Sequence, residues 1–416
     1  MQRADGRRPP RGRLRTHALA ALLAAAMAGH AVAAPDSRGT APYSFAVLTG
    51  VMEAPADEAP AQRLFDAIGR DRTVSFIVYD GNLKGPREPC RDSLYEQRMA
   101  LLNASRAPLV FLPGQSDWAI CGAPSLGGYD PVERLDFLRQ DLLSDPTSFG
   151  QTPLQLTRES EVPRFRPYRE NVRWVQGDTV FIGLNAPAPN NRYLTAGGRN
   201  GEFEDRVIAN AFWIDHAAEY AKRRDARALV ILLEGDPQFE RYERSDRFAW
   251  LRFNRPRTRD GFREMKRSLV KASTIFRGSI LVVHAGSDAL PDGFRIDRPL
   301  HNDKGDLVGN LTRVVVAPHQ RLAQWLRIGV NPARQPMFSI SLQEVPKHLP
   351  QPPALPVTPR DDTPLPPMPE IPSWPDLPDS GASGAVPPGY DHHDHDYRVP
   401  DSMPGAASSG SVQSAP

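Results

Sequence analysis

The chain has 416 residues, and its 51 Lys+Arg nearly balance 49 Asp+Glu. That balance argues against a nucleic-acid-binding protein, and the local basic stretch Arg252–Arg267 reads as a solvated helix face and loop. Two cysteines in the whole chain exclude a disulfide-dense scaffold.

The segment from Met1 to Ala33 has the form of an export signal. Six arginines (Arg3, Arg7, Arg8, Arg11, Arg13, Arg15) precede the apolar run Ala18–Ala28, and Ala31-Val32-Ala33 offers a small-x-small cleavage site. The run is shorter than the roughly 20 residues a membrane-spanning helix needs, and no longer one follows. The sequence therefore predicts an exported protein, periplasmic or secreted, without a transmembrane segment. Without the leader, 45 basic residues face 48 acidic ones. In an oxidising compartment the pair Cys90 and Cys121 reads as a disulfide rather than a metal site or nucleophile.

Residues 42–345 are expected to form one large folded domain. Ser44–Leu48 is a short apolar strand, and Ala59–Arg70 has helical spacing. Val74–Tyr79 and Leu109–Leu112 are strands on either side of an amphipathic helix, Leu94–Asn103. This βαβ unit directs attention to the loops at its strand ends, Asp80–Lys84 and Gly114–Cys121, because ligands of open α/β sheets sit there. Pro131–Leu143 is a helix with Asp130 as N-cap. Residues 144–170 read as an insertion or lid. A hairpin follows around Gly177-Asp178, then a helix over Glu204–Arg224 whose buried side is read as Val207, Ile208, Ala211, Phe212 and Ile214. Strands at Ala228–Leu233 and Ser279–Val283 flank a helix at Gly261–Phe276, and late strands are placed at Leu311–Val316 and Phe338–Val345.

The tail from Pro346 to Pro416 holds 18 of the 43 prolines and few large apolar side chains, so it is expected to be disordered or polyproline-like. Within it, Asp391-His-His-Asp-His-Asp396 could bind Zn²⁺, Ni²⁺ or Cu²⁺ loosely through His392, His393 and His395.

The loops resemble those of the calcineurin-like metallophosphoesterase superfamily, in an exported bacterial branch. The resemblance rests on Gly81-Asn82-Leu83-Lys84-Gly85, Pro113-Gly114-Gln115-Ser116-Asp117-Trp118, and Gly127-Gly128-Tyr129-Asp130-Pro131. It continues through Asn190-Asn191, Asn210-Ala-Phe-Trp213 and Phe294–Leu300, and the Cys90–Cys121 pair fits the same branch. It implies an α/β fold, a two-layer β-sheet sandwich flanked by helices, with two divalent metals (Mn, Mg, Fe or Zn) activating water for phosphoester hydrolysis. Several positions depart from that pattern. Gly50 stands for the first Asp, Asn82 for the bridging Asp and Gln115-Ser116 for Asp-Asn, and in the last loop, where the family has Gly-Asp-x-His, His284 is followed by Ala-Gly-Ser-Asp288 with no second histidine.

Candidate metal ligands are Asp80, Asn82, Asp117, His284 and Asp288, with Glu234 and Asp236 as further strand-end carboxylates. Lys84, Ser116 and Asn191 are candidates for substrate binding. The same residues also read as ordinary caps, turns and satisfied core groups. Two functions follow: a binding or scaffold pseudoenzyme, or an active phosphoesterase with a non-standard metal site. The partner would be a phosphoester ligand or an envelope protein.

Overall fold

The computed structural model describes residues 41–193, 201–241 and 260–350. The leader, the basic stretch through residue 259, and the tail with His392, His393 and His395 lie outside the described residues.

Two β-sheets face each other. At the heart of the first, β1 (Tyr43–Leu48), β2 (Val74–Asp80) and β3 (Leu109–Leu112) run parallel. On the other side of β1, β11 (Gln324–Val330) and then β12 (Phe338–Glu344) are added antiparallel, giving the order β12-β11-β1-β2-β3. The second sheet is built around parallel β6 (Thr179–Leu184), β7 (Ala228–Leu233), β8 (Ser279–Ala285) and β10 (Leu311–Val316). Antiparallel β4 (Thr157–Arg158) and β5 (Val172–Gln176) complete one edge and β9 (Phe294–Asp297) the other, in the order β4-β5-β6-β7-β8-β10-β9. The expected α/β sandwich is the one the chain adopts.

The pleat sorts side chains into three apolar layers, because successive residues of a strand point to opposite faces. Phe45, Val47, Phe76 and Val78 meet Phe181, Val230, Leu232, Leu281, Val283 and Val314 between the sheets. Ala46, Ile77 and Tyr79 face outward onto helix α1 (Glu58–Arg70) through its Leu64, Phe65 and Ile68, and onto α2 (Asp92–Asn103) through its Leu101 and Leu102. On the far side, Ile182, Ile231 and Val282 cover the helices that follow β6 and β7. An aromatic cluster anchors one end of the inter-sheet layer. Phe76 meets Phe181 edge-on at 5.1 Å and Trp174 at 5.6 Å. Each such pair contributes roughly 0.5–1.5 kcal/mol beyond its buried area.

Three expectations change. Helix α3 (Pro131–Phe137), capped as expected by Asp130 accepting from the Val132 and Glu133 amides, loosens into a π-helical turn at Leu138–Leu142. Residues 144–170 are not a lid. Their β4 pairs with β5 at the edge of the second sheet, and Phe149 bridges to Leu109 on the first. Helix α4 (Gly201–Arg223) is rotated from the expected face: Ala209, Trp213, Ile214, Ala217 and Ala218 are buried, while Ile208 is exposed. Its interior face also carries Arg206 and Asn210, polar groups that an apolar-periodicity reading assigns to solvent. Helix α5 (Arg263–Ile275) packs beside α4 through Met265, Leu269 and Ala272. Among the described residues no helix is long and apolar enough to cross a membrane.

Cys90 and Cys121 are bridged, tying the loop after β2 to the loop after β3 across a sequence separation of 31. The entropy model assigns such a closure about 3 kcal/mol. Replacing both cysteines with alanine should therefore lower the unfolding free energy by about 3 kcal/mol in urea titrations. A loss below about 1 kcal/mol, well short of that entropic value, would show that loop packing alone holds the two strand ends.

Candidate functional site

Period-two alternation carries Asp80 onto the inter-sheet face after Phe76 and Val78, and Glu234 onto the same face after Val230 and Leu232. The two strands belong to different sheets, yet their ends touch. A Cβ on Gly81, whose φ is +83°, would lie 2.2 Å from Glu234 Cγ, so only glycine fits there. Asn82, itself left-handed at φ 57°, donates from Nδ2 to Glu234 Oε1 at 3.3 Å and accepts the Ser116 amide on Oδ1 at 2.8 Å. Glu234 Oε2 accepts the Ala188 amide at 2.7 Å.

Asp80 is fully buried, and neither of its carboxyl oxygens has a hydrogen-bond partner among the described residues. Burial, with the nearby Glu234 charge adding to it, holds its pKa well above the usual carboxylate range. Burial raises Glu234 as well, opposed by its amide donors. The meeting strand ends therefore hold a carboxyl pair that retains protons above the ordinary range.

Asp117 plays a different part. Its Oδ1 accepts the amides of Leu83 (2.6 Å) and Lys84 (3.2 Å), and its Oδ2 accepts that of Gly114 (2.8 Å). Burial pushes its pKa up to about 7, against the pull of those amides. It is the buckle that fastens the two loops together. Lys84 turns inward, donating from Nζ to the carbonyls of Gly85 (3.0 Å) and Glu88 (2.8 Å). Burial lowers its pKa, opposed by Asp117 and Glu88. Arg98 braces the same loop, fully buried between Glu58 and Glu88 at 2.9 and 2.8 Å. Lys84 is thus engaged inside the loop scaffold.

His284 does not join Asp80. It shares the face of Ile280 and Val282, the helix side of the second sheet, and stands level with Leu233 on β7. Its Nδ1 lies 2.8 Å from the Ala285 carbonyl, so that nitrogen carries the hydrogen. Its Nε2 stands 3.6 Å from Asp236. Burial lowers its pKa, with the Asp236 charge opposing. Asp236 is also within 4.0 Å of Arg313, a buried guanidinium held by Asp297 and Glu240 that the sequence reading did not single out. Asp288 is exposed and accepts from Ser287. Asn191 is buried as a pin: its Nδ2 donates to the Gly261 carbonyl at 3.0 Å and its Oδ1 accepts from Arg206.

The residues at the strand ends do not fit a two-metal centre. Gly50 offers no side chain, and the Arg321 guanidinium, paired with Glu53, reaches within 3.3 Å of where its Cβ would stand. The Asn82 side chain and both Asp117 oxygens are engaged internally, and His284 is on another face. Among the described residues no group of three or more His, Cys, Asp and Glu is placed to hold a metal ion.

Because Asp80 binds its proton more tightly folded than unfolded, its contribution to stability falls as pH rises from about 4 toward the folded-state pKa. Asp80→Asn should remove that penalty. The variant should match the parent near pH 4 and exceed it at pH 7–8, flattening the pH slope by up to about 1.4 kcal/mol per unit. Urea unfolding at both pH values checks this. A variant less stable at pH 8 would mean that the ionised carboxylate has a partner in the folded protein.

No family profile matches the chain, and no curated protein matches it. Among solved structures, one similar chain is a purple acid phosphatase from yellow lupin (Lupinus luteus) seeds, at 12% identity and a TM-score of 0.35. The match covers 73% of this chain and 54% of the phosphatase, about half its length. Another is GAP50, the anchor in the inner membrane complex of Plasmodium, at 10% identity and a TM-score of 0.38, covering 74% of this chain and 90% of that one. Both are distant, and the reading of the site rests on this chain's own residues.

Proposed function

We propose that this chain is an exported, metallophosphoesterase-type protein in which two-metal hydrolysis is impaired or lost and the cleft serves binding. The family reading is supported by the order of the loop motifs and by the place of those loops, at the ends of parallel strands in two facing sheets. One observation carries the functional reading. At the position where a bridging carboxylate would hold two cations, the Asn82 amide instead hydrogen-bonds Glu234 and the Ser116 backbone. A neutral amide fixed in that way is a poor bridge between cations, because hard divalent ions select charged oxygen ligands.

A second reading is favoured by Asp80. Its two unpartnered buried oxygens stand near Glu234, and a carboxyl pair of this kind could hold one cation in an active hydrolase with a non-standard site. Metal content separates the two. The mature protein, with His392, His393 and His395 changed to alanine so that the tail cannot contribute, would be incubated with Mn²⁺, desalted and assayed by elemental analysis. Well under one metal per chain, and no turnover of p-nitrophenyl phosphate or bis-p-nitrophenyl phosphate, is the expected outcome. One or more metals per chain, with turnover abolished by Asp80→Asn, would overturn the binding-protein reading.

Export is supported by the arginine-rich start, the apolar run Ala18–Ala28 and the Ala31-Val32-Ala33 site, together with the disulfide. N-terminal sequencing of the protein recovered from a bacterial envelope or culture fraction should begin at Ala34. A chain that still starts at Met1 and stays in the cytoplasmic fraction would contradict it.

A further inference from the structure

Among the described residues the two sheets have four edges, and three of them are closed or blunted. Beyond β3, Leu109 exchanges backbone hydrogen bonds with Phe149, 2.8 Å each way. Edge strand β4 is two residues long, and β9 carries Arg295 and Asp297, the latter holding Arg313. Short edges and charged edges discourage the addition of a further strand. Strand β12 has neither protection. It is seven residues long and pairs with β11 without a break, from Phe338↔Val330 to Glu344↔Gln324. It reads Phe-Ser-Ile-Ser-Leu-Gln before Glu344 brings its first charge, and no strand covers its outer side among the described residues.

The hydrogen-bonding groups on that outer side follow from the ladder. At one end the Met337 carbonyl accepts the Asn331 amide at 2.9 Å, and at the other the Val345 amide donates to the Ala323 carbonyl at 2.8 Å. Bonded pairs alternate along an antiparallel ladder, so the odd-numbered residues turn their N–H and C=O toward β11. Phe338, Ile340, Leu342 and Glu344 turn theirs away from the sheet. Pro336 and Pro346, the next positions in that series, have no N–H and bound the run. The side chains of Phe338 and Ile340 lie on the inter-sheet face, half-buried, although their ladder partners Val330 and Ile328 are buried. The apolar layer between the sheets is still open at this edge.

We propose that β12 is a dimerisation edge, pairing antiparallel with β12 of a second copy of this chain about a two-fold axis at Ser341. In that register Phe338 faces Glu344 of the second copy, Ile340 faces Leu342, and each such pair exchanges two hydrogen bonds. Moving the axis to Ile340 or to Leu342 would set Glu344 opposite Pro336 or Phe338 opposite Pro346, and a donor would be lost. Charge fits the same register, because Glu344 meets an apolar residue and stands at the far end of the strand from its own copy. Ile340 against Leu342 carries the rows Ile328–Ile340 and Leu326–Leu342 across the axis, which covers the half-buried side chains. A strand that matches itself in length, hydrogen bonding and charge favours its own copy over an unrelated extended peptide. Two five-stranded sheets then become one continuous sheet, through an isologous contact that closes at two copies. The pairing uses none of the strand-end loops and holds whichever way those loops act.

The test is sedimentation of the full mature chain over a range of concentrations, with variants at Ser341, an exposed residue that faces its own copy across the axis. The parent should form a dimer. Ser341→Lys and Ser341→Glu should each weaken it by about tenfold or more, because like charges then stand opposite one another, and an equimolar mixture of the two should regain the parent's affinity. Ser341→Cys should give an intermolecular disulfide with diamide as oxidant, since Cα atoms of a directly opposed, non-hydrogen-bonded pair lie about 4.5 Å apart. Ser339→Cys, which faces Gln343 of the second copy, should not. A parent that sediments as a monomer throughout, Lys and Glu variants that dimerise within about twofold of the parent, a mixture no tighter than its components, or cross-linking of Ser339→Cys as readily as Ser341→Cys would each overturn the proposal.

Discussion

The two-residue pleat decides where every polar group of the site lies. On β2 it continues Phe76 and Val78 into Asp80, and on β7 it continues Val230 and Leu232 into Glu234, so two carboxyls enter a space otherwise filled by apolar side chains. The same alternation sends His284 to the opposite face of its sheet, with Ile280 and Val282. No loop rearrangement is needed to separate His284 from Asp80. Strand register does it.

Close approach of the sheets then fixes the rest. With Gly81 against Glu234, the polar groups at the strand ends satisfy one another: Asn82 with Glu234 and Ser116, Asp117 with three amides, Lys84 with two carbonyls. Buried polar groups cost several kcal/mol unless paired, and these loops pair them internally. A centre that binds cations must leave its ligands unpaired for the ion, and here Asp80 is the carboxyl left in that condition.

The buried charges follow similar lines. Arg98, Arg206 and Arg313 are buried and matched to carboxylates, which lets them brace loops without facing a ligand.

Local chemistry in the sequence is enough for the βαβ unit at Val74–Leu112, the Asp130 cap, the hairpin around Gly177 and the Cys90–Cys121 pair, since periodicity, cap residues and cysteine count act over a few residues or by elimination. That Gly50 offers no side chain and Asn82 no charge is equally plain, because it concerns side-chain identity. Strand β11 is not legible locally, since what makes it a strand is pairing with β1, at the opposite end of the folded region. Apolar periodicity turns Ile208 of helix α4 inward because hydrophobicity cannot foresee that Arg206 and Asn210 find partners in the interior. The fate of Asn191 is undecidable from its neighbours in sequence. It is a polar residue on a loop, and it turns inward because the distant backbone of Gly261 comes within hydrogen-bonding reach once the chain has folded.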